Sequence, residues 1–322
     1  MEERKNKNME IKRIEKPKIE FYKRRTFSEK VTATFDFVRE NWRTVFKYVT
    51  YFVLPLCLLQ SVSYDSFMGS YADGFINAMG GEADQIPNLG LLAASYVGLI
   101  VCTLVAYVLV SGLTATLMML YNERRDRLQG IEYNDLKPRV WRNVGRMAVV
   151  MLISVLFSVG AIGVIIVLTM LSPYSLIATL PAGIALLIPF TLVSPVYVYE
   201  RVGIWQAVAK GYRLGFASWW GVLGFILLLS IIVNIITSVA GIPFYILMMV
   251  KMVLGMEGNA PVSPLLTVGN YLSSAFLSYF SYISMALMFI GISYLYSHMA
   301  EKVDGVTVDQ GIEEFETLNT ES

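Results

Sequence analysis

The stretch Glu200-Arg201-Val202-Gly203-Ile204-Trp205-Gln206-Ala207-Val208-Ala209-Lys210-Gly211-Tyr212-Arg213 runs on through Ser218-Trp219-Trp220 into a long segment without charge. Ile204, Ala207, Val208 and Gly211 fall on one helical face, while Arg201, Lys210 and Arg213 can reach anionic headgroups. A basic amphipathic helix of this kind lies in the plane of a membrane surface. The apolar run behind it is a helix entering the bilayer. Weaker copies of the pattern occur at 27–43, which ends Glu40-Asn41-Trp42-Arg43, and at 136–146.

Composition agrees with lipid as the solvent. The chain has 322 residues, of which 55% are hydrophobic and 16% charged, whereas a soluble domain carries roughly 25% charged residues. A span needs about 20 apolar residues to cross the hydrocarbon core. Residues 45–62 qualify, and 89–121 form a longer, tilted second span. The charge-free stretch 147–199 is too long for one crossing, and Ser172-Pro173-Tyr174-Ser175 supplies a turn near its middle. A fifth span starts near Trp219, with a break expected at Gly241-Ile242-Pro243, and the sixth covers 271–296. Pro181, Pro189 and Pro195 predict a kinked fourth span.

The expected fold is all-α, a polytopic membrane protein of six transmembrane helices. They form three repeats of an in-plane amphipathic helix plus a transmembrane hairpin, at about 27–121, 132–199 and 200–299. Residues 1–26 form a basic arm and 300–322 an acidic tail around the 27–299 membrane domain. The arm is rich in Lys and Arg, and the tail carries seven acids against Lys302 alone.

Apart from Lys251 and Lys302, every lysine and arginine lies before span one, between spans two and three or between spans four and five, with Lys47 close to the start of span one. The positive-inside rule then puts both termini in the cytoplasm of a bacterial inner-membrane protein. The outer stretch 64–88 has no Lys or Arg and carries Asp65, Asp73, Glu82 and Asp84. Within it Phe67, Tyr71, Phe75 and Met79 recur at helical spacing and predict a short helix on the outer leaflet, packed on the bundle. No cleavable signal peptide is read, because the first apolar stretch follows about forty mostly polar residues.

Chemistry-bearing motifs are few. Cys57 and Cys102 lie in predicted spans without a C-x-x-C and read as small buried apolar side chains. His298 is the single histidine, and one imidazole cannot build a multi-histidine metal site. Well inside the spans there is no Asp, Glu, Lys, Arg or His of the kind that marks proton or ion pathways. What remains is uncharged polarity. Asn270, Ser274, Ser278 and Ser281 follow one face of span six, and Ser230, Asn234 and Thr237 one face of span five. Such stripes line a cavity or serve as interhelical hydrogen bonds.

The third unit also carries a family resemblance. Pro195, Glu200, Gly203, Ala207, Leu214 and Trp219 or Trp220 resemble the P-x4-E-x2-G-x3-A…L…W pattern of the glycerophosphoryl diester phosphodiesterase membrane-domain family. The resemblance covers 195–240 well and the remainder only as span order. Gly211 stands where that family often has serine. Catalytic members are similar in carrying an extra soluble phosphodiesterase barrel. The twenty or so residues after span six are too few for one, so a membrane domain without the catalytic part is expected.

The expected function is non-catalytic: lipid interaction, or a membrane scaffold and partner for envelope enzymes. Arg201, Lys210, Arg213, Trp205, Trp219, Trp220, Trp42 and Arg43 are the candidate headgroup and interface residues. The alternative is a transporter or flippase for a small amphipathic or lipid-like substrate, with Asn234, Asn270, Ser274, Ser278 and Ser281 lining a polar cavity. A membrane-embedded enzyme comes last and needs Glu200, Arg201 and His298 to converge. Anionic lipids and a membrane protein are the expected partners; no cofactor, metal or nucleic acid is expected.

Overall fold

The structure is a computed structural model and describes residues 17–79, 88–256 and 263–307, without the side chains of 73, 76–79, 255 and 256. Glu82 and Asp84, the side chains of Asp73 and Met79, most of the basic arm and most of the acidic tail lie outside the described residues. Among the described residues all regular elements are helices. They are α1 (Phe27–Met79), α2 (Leu89–Glu123), α3 (Tyr133–Leu171), α4 (Leu176–Phe190), α5 (Val193–Tyr199), α6 (Ile204–Ala217), α7 (Trp219–Met256) and α8 (Pro264–Val303). A 3-10 turn at Pro173–Ser175 joins α3 to α4. Six segments are long and apolar enough to cross a membrane, as a multi-pass protein requires, with α4 and α5 together forming the fourth.

Helix starts carry the local chemistry that the orphan N–H groups of a first turn demand. At α1 the Glu29 carboxylate accepts from the Thr26 N–H at 2.7 Å while Thr26 Oγ1 accepts from Glu29 N–H at 3.3 Å, a reciprocal capping box. Asn88 accepts from Leu91 N–H ahead of α2. Ser263 accepts from Leu266 N–H ahead of α8, with Pro264 in the first turn.

The basic segments behave differently from one another. Those at 27–43 and 136–146 are collinear with the apolar helices that follow, as the first turns of α1 and α3. No glycine or proline stands at the first junction, and at the second Gly145 stays helical within α3. The third segment alone is a separate helix, because Ser218 leaves the helical region at φ −150° and ψ 54° between α6 and α7. The expected outer-leaflet helix is likewise the far end of α1, where Phe67 lies 5.7 Å from the Tyr96 ring of α2. Two proline expectations diverge. Span four does break, at Thr191–Leu192 between Pro189 and Pro195, whereas α7 runs unbroken through Pro243.

The last helix is the hub. It packs along α1, α2 and α7 and also touches α5 and α6. In its most apolar window 56% of the residues are buried, against 6% for α3. From Phe289 to Ser297 every residue of α8 is buried. The α3–α4 hairpin instead stands at the periphery, with Leu156, Val159, Met170, Leu171 and Ile177 exposed. α3 meets the bundle chiefly through α2. There Gly112 presses on the next helix, since a Cβ at this position would lie 2.8 Å from the Val144 Cα. Nearby, the buried Asn143 amide donates to Thr116 Oγ1 at 2.8 Å.

Gly112→Val should therefore destabilise the protein by about 1–3 kcal/mol, because a backbone atom cannot yield as a side-chain tip can. Gly145→Ala, with open space around it, should be neutral or slightly stabilising. Thermal unfolding of both variants in detergent checks this; equal behaviour would refute the close packing of α2 on α3.

Candidate functional site at the basic end of the bundle

The basic segments, the strap 17–26, the corner between α5 and α6, and the C-terminus of α8 gather at one end of the bundle. Here α6 packs flat against α4 and α5. Ala207 and Leu214 are fully buried on its inner face. A Cβ on Gly211 would lie 3.1 Å from the Val193 N, and one on Gly215 would lie 2.5 Å from the Pro189 Cα. These small residues let α6 sit directly on the broken fourth span. Trp219 Nε1 donates to the Ala185 carbonyl at 3.2 Å and pins the start of α7 to α4. Gln206 Oε1 accepts from Gly203 N–H at 3.2 Å at the start of α6. The residues of the family-like pattern thus act first as packing and corner-forming groups.

Glu200 caps the C-terminus of α5 and ties the corner to the hub. Its Oε1 accepts from the Tyr296 hydroxyl at 2.6 Å and pairs with Lys210 Nζ at 2.8 Å. Lys210 also pairs with Asp304 at 2.8 Å, and Asp304 takes Arg213 at 2.5 Å. Burial works against the Lys210 charge. The hydrogen bonds to Asp304 and Glu200 outweigh it, and the amine is held above its ordinary range. One ammonium therefore bridges a carboxylate from each side of α6.

Beside this clamp the strap crosses the mouth of the bundle without regular structure. Lys18 Nζ donates to the Asn122 and Arg124 carbonyls at 2.6 and 3.2 Å, and Ile19 N–H donates to the Tyr121 hydroxyl at 3.2 Å. Phe21 is buried 5.0 Å from Tyr199, which stacks on Tyr296 at 5.8 Å. Arg25 N–H donates to His298 Nδ1 at 2.9 Å, and its guanidinium turns back to the Phe21 carbonyl at 3.0 Å. Burial pushes the Arg25 and Lys18 pKa values down and that of Tyr22 up.

The predicted headgroup residues separate into two groups. Arg201, Trp205, Trp220, Trp42 and Arg43 are exposed, with the Arg43 guanidinium 5.5 Å over the Trp42 ring. Arg201 makes no ion pair among the described residues. Lys210 and Arg213 are diverted to Asp304, and Trp219 is half-buried. Glu200, Arg201 and His298 do not form one acid–base unit: no hydrogen bond or ion pair joins them, and Glu200 and His298 each have other partners. Among the described residues no three His, Cys, Asp or Glu side chains gather to hold a metal ion.

The predicted polar-cavity residues do not share a space. Asn270 is fully buried, and its amide donates to Asp65, which lies 3.6 Å from Lys251. Ser274 and Ser281 turn back on the α8 carbonyls of Tyr271 and Leu277, each at 2.8 Å, and Ser278 is buried. Asn234 faces away from the bundle on α7. A small cavity of about 10 Å3 lies elsewhere, among Ser111, Ser194, Tyr199 and Ser293. The strap and the Asp304 clamp escaped the sequence reading because their partners are distant in the chain and carry no local spacing signal. Compared with protein-family models, curated proteins and solved structures, the chain matches none.

Lys210→Met should cost about 1–3 kcal/mol, since it leaves the Glu200 and Asp304 carboxylates facing one another without their shared cation. Arg213→Gln, at a side chain 60% exposed, should cost below about 1 kcal/mol. Unfolding midpoints of the two variants in one detergent give the comparison, and equal losses would contradict the bridging role of Lys210.

Proposed function

We propose that this protein is a six-span inner-membrane protein, with both termini cytoplasmic and no catalysis of its own. On this reading the basic end lies at the cytoplasmic leaflet and engages anionic lipid headgroups, serving lipid organisation or a partner enzyme of the envelope. The single observation that carries it is the outward surface of the α5–α6–α7 corner. Trp205 is 77% and Trp220 78% exposed, and Arg201 is left without a protein counter-charge among the described residues. Large indoles facing outward beside an unpaired guanidinium suit the membrane–water interface, where one side is apolar and the other carries phosphate.

The order of three hairpins, each led by a basic segment, supports the three-unit repeat as part of this proposal. So does the family resemblance of 195–240. A transporter reading has less support, because Asn270, Ser274 and Ser281 of α8 donate to groups within the protein rather than into a common space. The proton-transfer pair an enzyme needs has no support from Glu200, Arg201 and His298.

Reconstitution in nanodiscs of mixed neutral and anionic lipid, followed by mass spectrometry of retained lipid, tests the proposal. Enrichment of anionic lipid should fall about 5-fold in Arg201→Gln, given about 1 kcal/mol per basic residue near an anionic surface. Trp205→Ala should weaken it further. Retained lipid that mirrors the bulk mixture would overturn it.

A further inference from the structure

Lys30 poses a problem that neither the Lys210 clamp nor the outward tryptophans answer. Its side chain is only 5% exposed. The ammonium lies over the Phe27 ring at 5.8 Å and the Phe225 ring at 5.5 Å. Among the described residues no oxygen accepts from it. Ring faces attract a cation, yet they leave the N–H groups of a largely desolvated ammonium without an acceptor, which is unfavourable. The Nζ tip is not wholly enclosed, so a small group can reach it.

Further donors without acceptors gather beside this ammonium. Lys30 lies one turn into α1, with its N–H donating to the Thr26 carbonyl at 3.2 Å. Just ahead of that turn, Arg25 N–H donates to His298 Nδ1 at 2.9 Å. With Nδ1 accepting, the neutral imidazole carries its proton on Nε2. That N–H also has no partner among the described residues. Lys302 stands one turn beyond His298 on α8, exposed and without an ion pair among the described residues. Arg24 uses Nε on the Glu301 carbonyl at 3.3 Å, which leaves its two terminal nitrogens. The charges of Lys30, Lys302, Arg25 and Arg24 all bear on His298. The neighbouring acids are engaged elsewhere. Glu20 pairs with Lys23 at 3.1 Å, Glu29 accepts from the Thr26 N–H at 2.7 Å, and Glu301 accepts from the Thr307 N–H at 3.0 Å.

We infer that Lys30, His298, Lys302 and Arg24 form an oxyanion site between the strap, α1 and α8, and that its ligand is a phosphate group. The ligand class follows from the donors. An ammonium, an imidazole N–H and a guanidinium that approach from three elements match the several acceptor oxygens of a phosphate. Its negative charge offsets cations that the protein leaves uncompensated at this point. The site shares no residue with the Arg201 corner, so it goes beyond the proposed headgroup role and does not rest on it.

His298 is the single histidine, so a nitrogen-15 histidine label reports on this site alone. The full chain in a maltoside detergent, which contains no phosphate, is titrated with inorganic phosphate and separately with short-chain phosphatidic acid. The imidazole resonance should shift and saturate. A response to inorganic phosphate marks a site open to free phosphate, and a response to phosphatidic acid alone marks a lipid phosphate as the source. Lys30→Met, which keeps the buried stem, should weaken binding about 10–100-fold, the range for one hydrogen bond to a charged group. Lys302→Gln, at an exposed position, should weaken it about 5-fold and gives the same test if Lys30→Met does not fold. Arg201→Gln should leave the titration unchanged. No shift with either probe, an equal shift with chloride at matched ionic strength, or wild-type binding by a folded Lys30→Met or Lys302→Gln variant would overturn the site.

Discussion

Hydrocarbon offers no partner to a polar group, so the polar atoms of a membrane bundle must find one another. In this protein most of that pairing gathers around α8. Tyr282 donates to Gln60, and Gln60 donates in turn to Thr103 at 3.3 Å, linking α8, α1 and α2. The Thr50 and Tyr279 hydroxyls meet at 2.5 Å, and Tyr199 donates to Ser293 at 2.9 Å. Asn270 reaches Asp65 at the far end of the same helix. Ser61, Ser111, Ser274 and Ser297 return to carbonyls of their own helix, whereas the buried Ser284 hydroxyl has no partner among the described residues. The other spans are arranged around this hydrogen-bonded post, and the α3–α4 hairpin, which shares little of it, is left to the lipid.

The same helix organises the basic end. Its last turns present Tyr296 to Glu200, His298 to the Arg25 backbone and the Glu301 carbonyl to Arg24 Nε at 3.3 Å. Asp304, just past its end, takes the cations of α6. The helix α6 is thereby connected to the end of α8 through Lys210 and Asp304. The proposed headgroup role falls to the residues the clamp leaves outside it: Arg201, Trp205 and Trp220. Local charge pairing thus separates Lys210 and Arg213 of α6, which are tied to Asp304, from Arg201 just ahead of that helix.

Much of this architecture was legible in the sequence because lipid imposes a simple rule. Long charge-free runs had to be spans, and Ser172-Pro173 had to turn between two of them. Ile204, Ala207, Val208 and Gly211 were legible as one face, since helical spacing aligns them. The in-plane helices were over-read. An amphipathic pattern tells how a segment is buried, but not whether it bends away from the helix behind it, and at 43–45 nothing forces a bend. The polar stripes were over-read for a related reason. Periodicity shows that Asn234 and Ser230 share a face, yet only the packing of α7 on α8 decides that this face points outward. The Lys210–Asp304 contact joins residues too far apart in sequence to leave a pattern.

The claim on which the account rests is that α8 is enclosed by protein while α3 and α4 face lipid. Photolabelling the unmodified chain with a lipid carrying a diazirine in its acyl chain, then mapping adducts by peptide mass spectrometry, tests it directly. Adducts should concentrate on 152–187 and be nearly absent from 286–300. Comparable labelling of 286–300 would contradict the arrangement of the whole bundle.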